Sequence, residues 1–211
     1  MHLESPDKRD DGTFAWGYLG SNGPAYWYQA NETYLKLEDF VNSTKIELDV
    51  AKETKLILLN TGHNYQVQSL KGTIAAPALN YNATLKVDGE TYYLLQFHFH
   101  TPSEHRIEGR DLLMEGHWVF QTSSDKDAKV AVLGVFFDLG KNDEPNLKPI
   151  VDIINDKPLE VGEHVNISMS AGKQIFKKVK TVFSYIGSFT TPSWFVSRDV
   201  LSISLSQFES F

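Results

Sequence analysis

The chain has 211 residues, 41% of them hydrophobic, which suffices for one domain with a sizeable core. A formal net charge of −7 argues against a nucleic acid or an anionic membrane as partner, since either favours a basic face. There is no cysteine, so disulfides and thiolate metal sites are excluded and any transition-metal site must use histidine and carboxylate.

The N-terminal stretch MHLESPDKRDDGTF is polar and lacks the apolar core of a signal peptide. Residues 1–13 are expected to be disordered or processed, and residues 14–211 to form the domain. No apolar run is long enough for a transmembrane helix. Four Asn-x-Ser/Thr sequons, at Asn31, Asn42, Asn82 and Asn166, favour a secreted glycoprotein, which would begin after its signal peptide. Lys8-Arg9 reads as a solvated charge pair or a dibasic processing site.

Strand signals dominate the rest of the chain. TKIELDV (44–50) alternates polar and apolar residues, and KLILLN (55–60) is a short branched apolar run. TIAAPAL (73–79) and ATLKVDG (83–89) read as strand then turn, with Asp88-Gly89 a hairpin signal. TYYLLQFHFH (91–100) and MEGHWVFQ (114–121) are strands, with EGRD (108–111) a turn between them. KVAVLGVFFDLG (129–140) is apolar on both parities, as a buried strand would be. NLKPIVDIIN (146–155) carries Leu147, Ile150, Ile153 and Ile154 at helical spacing. FTTPSWFV, partly a loop, and VLSISLSQF close the chain. The fold class expected is a mainly β (α+β) single domain, on a large, mostly antiparallel twisted sheet with a few short peripheral helices.

The chemistry-bearing stretch is QFHFHTPSEH (96–105). In a strand, residues i and i+2 share a face, so Gln96, His98 and His100 point one way and Phe97 and Phe99 the other. Parity also puts Glu115, His117 and Val119 on one face. If the two strands are antiparallel neighbours, His117 reaches the His98/His100 pair. Three neutral imidazoles with an open fourth position describe a catalytic zinc site. They leave the metal its full charge, which lowers the pKa of a bound water to about 7. A histidine on a strand is ordinarily a packed or surface residue, and spacing alone leaves that alternative open.

QFHFHTPSEH followed by MEGHWVF resembles the signature of the α-class carbonic anhydrases. WGYLGSNGPAYW (16–27), LNTGHNYQV (59–67), VAVLGVFF (130–137), SYIGSFTTP (184–192) and WFVSRDVLSISLSQ (194–207) resemble further family segments in the same order. The resemblance implies a zinc-dependent lyase that hydrates carbon dioxide reversibly to bicarbonate and a proton, by zinc-hydroxide attack. His98, His100 and His117 would ligate Zn2+, with Gln96 and Glu115 accepting from His98 and His117 to fix their tautomers. Thr190 would take a hydrogen bond from the zinc hydroxide and donate to Glu104, and Thr191 would border the substrate. Val119, Val132, Phe189 and Trp194 would form the apolar wall for CO2, with Phe189 where the family commonly has leucine. His63 would shuttle protons to buffer, a task suited to a group titrating near neutrality. Tyr18 would help order the active-site water. Thr61 and Gln66 stand where the family often has asparagines. His105 would play a structural part beneath the site, and His2 and His164 would be surface residues. Sulfonamides and small anions would inhibit, and a homodimer is left open.

The sequence departs from the family pattern in three places. Trp27 to His63 is short and lacks a Gln-Ser-Pro-Ile-type segment. Only Ser193 separates Thr-Thr-Pro from Trp194. The chain ends at Phe211, before the family's last strand and the tail whose backbone carbonyl orients one ligand histidine, so His100 has no visible acceptor. These read as internal deletions and a truncated C-terminus. They make a catalytically impaired or non-catalytic carbonic-anhydrase-like isoform the alternative, although non-catalytic relatives commonly lose a ligand histidine and all three are present here.

Overall fold

The computed structural model describes residues 46–69, 83–107, 110–123, 128–177, 181–187 and 200–206. Its strands are β1 (Ile46–Val50), β2 (Thr54–Asn60), β3 (Tyr65–Ser69), β4 (Ala83–Val87), β5 (Glu90–His100), β6 (Arg106–Ile107), β7 (Arg110–Asp111), β8 (Met114–Gln121), β9 (Val130–Phe137), β10 (His164–Met169), β11 (Thr181–Gly187) and β12 (Val200–Ser206). Two short helices, α1 (Lys148–Asp156) and α2 (Lys173–Lys177), accompany them. Ten strands form one sheet, in the order β10-β2-β3-β5-β8-β9-β12-β11, with β4 joining β5 and β1 joining β4. Among the described residues every pairing in it is antiparallel except β12 with β9. The expected mostly antiparallel sheet with short helices is what the chain forms.

Local sequence explains much of this. Asp88 and Gly89 both take positive φ, 48° and 92°, the conformation a two-residue hairpin turn requires. They join β4 to β5 as the dipeptide predicts. Helix α1 has Pro149 in its first turn, where the missing N–H costs nothing, and packs Ile150, Ile153 and Ile154 against the core. Strand β10 escapes sequence detection. Its apolar positions Val165, Ile167 and Met169 do alternate, but it lies at an edge of the sheet and its other residues are exposed. The segment 73–79 and the Thr-Thr-Pro turn lie outside the described residues. So do three of the four sequons; Asn166 is exposed on β10.

The sheet has two different faces at its centre. On one, Trp118 is fully buried, stacks on Phe97 at 5.3 Å and donates its indole N–H to the Ala171 carbonyl at 2.8 Å. Phe120, Leu58, Val67 and Leu133 extend this core. Strand β5 does not keep one parity along its length. Tyr92 and Leu94 are buried in the core, the pairing with β8 shifts between Leu94 and Gln96, and beyond that point Phe97 is the core residue. Leu95 is the displaced residue and is 38% exposed. This β-bulge turns Gln96, His98 and His100 to the face opposite Phe97.

At Gly116, between Glu115 and His117, core side chains press close against the backbone. A Cβ there would lie 2.7 Å from Cζ3 of Trp118 and 3.0 Å from Cε1 of Phe99. Gly116→Ala is therefore expected to lower stability by about 1–3 kcal/mol through overpacking. An unchanged urea midpoint would contradict the contact.

Candidate metal centre

The antiparallel register of β5 and β8 sets His98 directly opposite His117, Gln96 opposite Val119, and His100 opposite Glu115. Opposed residues share a face, so His98, His100 and His117 converge on the side away from Trp118. Their ring centroids lie 4.8 Å (His98–His100), 5.6 Å (His98–His117) and 4.7 Å (His100–His117) apart. One nitrogen from each ring can be chosen so that all three lie within 4.8 Å of one another.

Each outer ring is held by an acceptor on its own strand, two residues away. The Gln96 amide oxygen lies 2.8 Å from Nδ1 of His98, so Nδ1 carries the proton and Nε2 offers a lone pair. Oε1 of Glu115 lies 2.9 Å from Nε2 of His117, which makes Nδ1 the nitrogen left to face a cation. Glu115 is wholly buried and accepts far more than this bond. The same Oε1 accepts from Nδ1 of His105 at 2.6 Å. Oε2 accepts from the backbone N–H groups of Glu104 and His105 at 3.0 and 2.9 Å. His105, Glu115 and His117 are also close enough to hold a cation, but their facing nitrogens donate to the carboxylate, so the cluster is a hydrogen-bonded anchor.

The chemistry of this donor set fits a divalent transition metal. Burial, reinforced by the nearby His117, depresses His98 to about 3. Burial, with His117 and His98 adding to it, depresses His100 to about 2. Both rings are neutral bases near neutral pH, the form that binds metal. Burial also disfavours charge on His117, but the hydrogen bond and charge of Glu115, with the charge of Glu104, outweigh it and raise its pKa. Burial alone would push Glu115 up; the bonds from His105 and His117 outweigh it and hold the carboxyl below its usual range.

Glu104 sits at the rim of the triad, its side chain 7% exposed. Its Oε1 is 3.3 Å from Nδ1 of His100 and its Oε2 is 3.7 Å from Nδ1 of His117. The sequence shows no acceptor for His100, yet the turn after β5 folds this carboxylate back against it. Ser103 shapes that turn: its hydroxyl donates to the His105 carbonyl and accepts from the Leu112 N–H, both at 2.8 Å. Val119 is buried and pairs with half-buried Val132 across β8 and β9, on the side of the three imidazoles. His63 is exposed in the turn between β2 and β3, at the head of the strand rather than on it. It and His100 line a cavity of about 460 Å3 whose other walls include Phe99, Met114, Ile150 and Ile154, on the α1 side of the sheet; His98 and His117 do not line it. Tyr18, Phe189, Thr190, Thr191 and Trp194 lie outside the described residues. The further donors to Glu115 are backbone groups of a neighbouring turn, for which no side-chain pattern is a signal.

Comparison with known proteins points one way. A family model described as eukaryotic-type carbonic anhydrase matches residues 32–211. A carbonic anhydrase of Neisseria gonorrhoeae is 29% identical over 206 residues, covering 93% of this chain and 79% of the relative. One from Klebsiella pneumoniae is 30% identical, covering 84% of this chain and 71% of the relative. The solved α-carbonic anhydrase of Photobacterium profundum superposes with a TM-score of 0.66 at 26% identity, covering 92% of this chain and 85% of that one.

The electrostatics has two measurable consequences. Between about pH 6.5 and 3 the unfolded chain binds protons at His98 and His100 that the folded, metal-free protein refuses. Stability of the metal-free protein should thus rise with pH across the acid side, by up to about 1.4 kcal/mol per pH unit for each histidine. Glu115 acts in the same sense, since its folded pKa lies below its unfolded one. His117 acts oppositely, but only above about pH 6.5, where its raised pKa keeps a proton that the unfolded chain loses. Urea melts between about pH 5 and 6.5 check this, and a flat profile would count against neutral buried rings. Glu115→Gln places an amide NH2 against N–H donors and should cost about 1–3 kcal/mol. The same melts at neutral pH read it, and an undiminished midpoint would contradict the four-donor anchor.

Proposed function

This chain belongs to the eukaryotic-type carbonic anhydrase family, and from that premise we propose that it hydrates carbon dioxide reversibly at a zinc ion held by His98, His100 and His117. The observation that carries the reading is the convergence of three imidazoles, two with neighbouring acceptors that engage one ring nitrogen and leave the other for the metal. When bound, zinc supplies Lewis acidity, bringing the pKa of a coordinated water to about 7 so that hydroxide is available to attack CO2.

The chain's own residues would do the rest. Gln96 and Glu115 hold the tautomers of His98 and His117, which keeps both rings aimed without a conformational search. Val119 and Val132 give CO2, which has no strong hydrogen-bonding group, an apolar surface beside the triad. Phe189 and Trp194 would extend that surface, and Thr191 and Tyr18 would order substrate and water, all on the strength of the family resemblance. Glu104 would orient the attacking group through Thr190. His63 would carry the proton of each turnover to buffer on a ring nitrogen. Its exposure to solvent, and its place three residues before Gln66, which pairs with His98 across β3 and β5, support that role.

Purified protein is expected to bind one zinc per chain and to hydrate CO2 in a stopped-flow assay, with inhibition by a sulfonamide. His117→Ala should weaken zinc binding by roughly 100-fold or more, exceeding the 10–100-fold typical of losing an outer partner. Zinc-loaded protein with no hydration above the buffer rate would sink the enzymatic reading and leave the impaired relative in its place.

A further inference from the structure

His63 stands in a four-residue turn, Thr61 to Asn64, and Asn60, on the core-facing parity of β2 with Leu58, fastens that turn from outside. The side-chain oxygen of Asn60 accepts from the Gly62 N–H at 2.8 Å. Its side-chain NH2 donates to the Leu159 carbonyl at 2.7 Å, 99 residues along the chain. Its backbone N–H donates to the Glu163 carbonyl at 3.1 Å, and its own carbonyl accepts from Gly162 at 2.8 Å. One residue thus spans the turn before His63 and the loop between α1 and β10.

Both partners of this clamp are themselves stiff. Within the turn, Thr61 N–H donates to the Asn64 carbonyl at 3.0 Å, and the Thr61 hydroxyl accepts from Asn64 N–H at 3.1 Å. Gly62 takes φ 86°, and a Cβ on it would come within 3.1 Å of Val161. In the loop, the Glu160 and Glu163 backbones bond at 2.9 Å, and the Glu163 carboxylate accepts from Glu160 N–H at 2.9 Å. Fixing the Cα of an exposed histidine keeps its reach constant while its imidazole turns about its own side-chain bonds. That is what a group serving one donor position and bulk buffer in alternation requires.

We propose that Asn60 is a positioning residue for proton transfer, holding the His63 turn against the 159–163 loop so that the imidazole keeps one place at the head of β3, whose Gln66 pairs with His98. This rests on the reading of His63 as the shuttle. A shuttle defect slows regeneration of the site without touching CO2 attack, so the two kinetic constants separate it from a general loss of structure.

The test compares wild type, His63→Ala, Asn60→Ala and Asn60→Asp by stopped-flow CO2 hydration of the zinc-loaded full chain in a bulky buffer, with and without added imidazole, and by amide hydrogen exchange of residues 61–64 in the metal-free chain, which Asn60→Ala should speed and an unchanged rate would contradict. Asn60→Ala is expected to lower kcat by about tenfold, a fraction of a full general acid–base contribution. Its kcat/KM should be unchanged, and added imidazole should restore kcat. Asn60→Asp, which keeps the acceptor for Gly62 but not the donor to Leu159, should fall between, and it serves alone if Asn60→Ala does not fold. If His63→Ala is impaired while both Asn60 variants run at the wild-type kcat, the positioning role fails and the shuttle stands. A parallel loss of kcat and kcat/KM in both Asn60 variants, unrelieved by imidazole, also overturns it. If His63→Ala itself keeps full kcat, the shuttle reading falls and the positioning role with it.

Discussion

The site depends on one buried anion. Glu115 lies with no exposed surface among strands β5, β8 and β9, where an unpaired carboxylate would cost several kcal/mol or simply become protonated. It survives as a carboxylate because four N–H groups converge on it, two from imidazoles and two from consecutive backbone amides. Hydrogen bonding to the charged form is the most direct way to hold a buried acid ionised. Each of those bonds also positions something else. One sets the tautomer of His117, one fixes His105, and two pull the turn after β5 against the sheet and bring Glu104 to the rim of the triad. Removing the charge would unfasten His117 and the turn together.

The rest of the centre rests on a division of labour across the sheet. The side of β5 and β8 that carries Phe97 and Trp118 is aromatic and tightly packed around them, down to a glycine whose missing Cβ makes room for Trp118. The opposite side carries the imidazoles and their acceptors. Packing makes the strands stiff, and stiff strands hold three lone pairs at a separation a small cation can bridge. The neutral state of His98 and His100 has the same origin, because the burial that rigidifies them also disfavours their charge.

Much of this is legible in the residues themselves. Alternation alone separates Gln96, His98 and His100 from Phe97 and Phe99, and Glu115 and His117 from Trp118. The hairpin at Asp88-Gly89 and the helix near 146–155 are written in local turn chemistry and 3.6-residue spacing. What periodicity does not encode is pairing between distant segments. The donors to Glu115 include main-chain groups of residues 104 and 105. The clamp at Asn60 joins positions 99 residues apart. Strand β10 has only three inward residues with which to announce itself. The shift beside Leu95 is silent because Leu94 and Leu95 are both apolar, and either parity fits until the partner strand is known.

That shift makes β5 two strands in one. Up to Leu94 the even-numbered side chains serve the interior; from Gln96 onward the even-numbered ones serve the metal side and the odd ones take over the packing. The rules of tolerance for substitution therefore invert in the middle of an 11-residue element. A scheme that diversified alternate positions along its whole length would repack the interior at one end while it rewrote the histidine cluster at the other. The chain carries its frame change within a single unbroken strand, and any chain built to imitate this centre would have to count from Leu95 rather than from the hairpin.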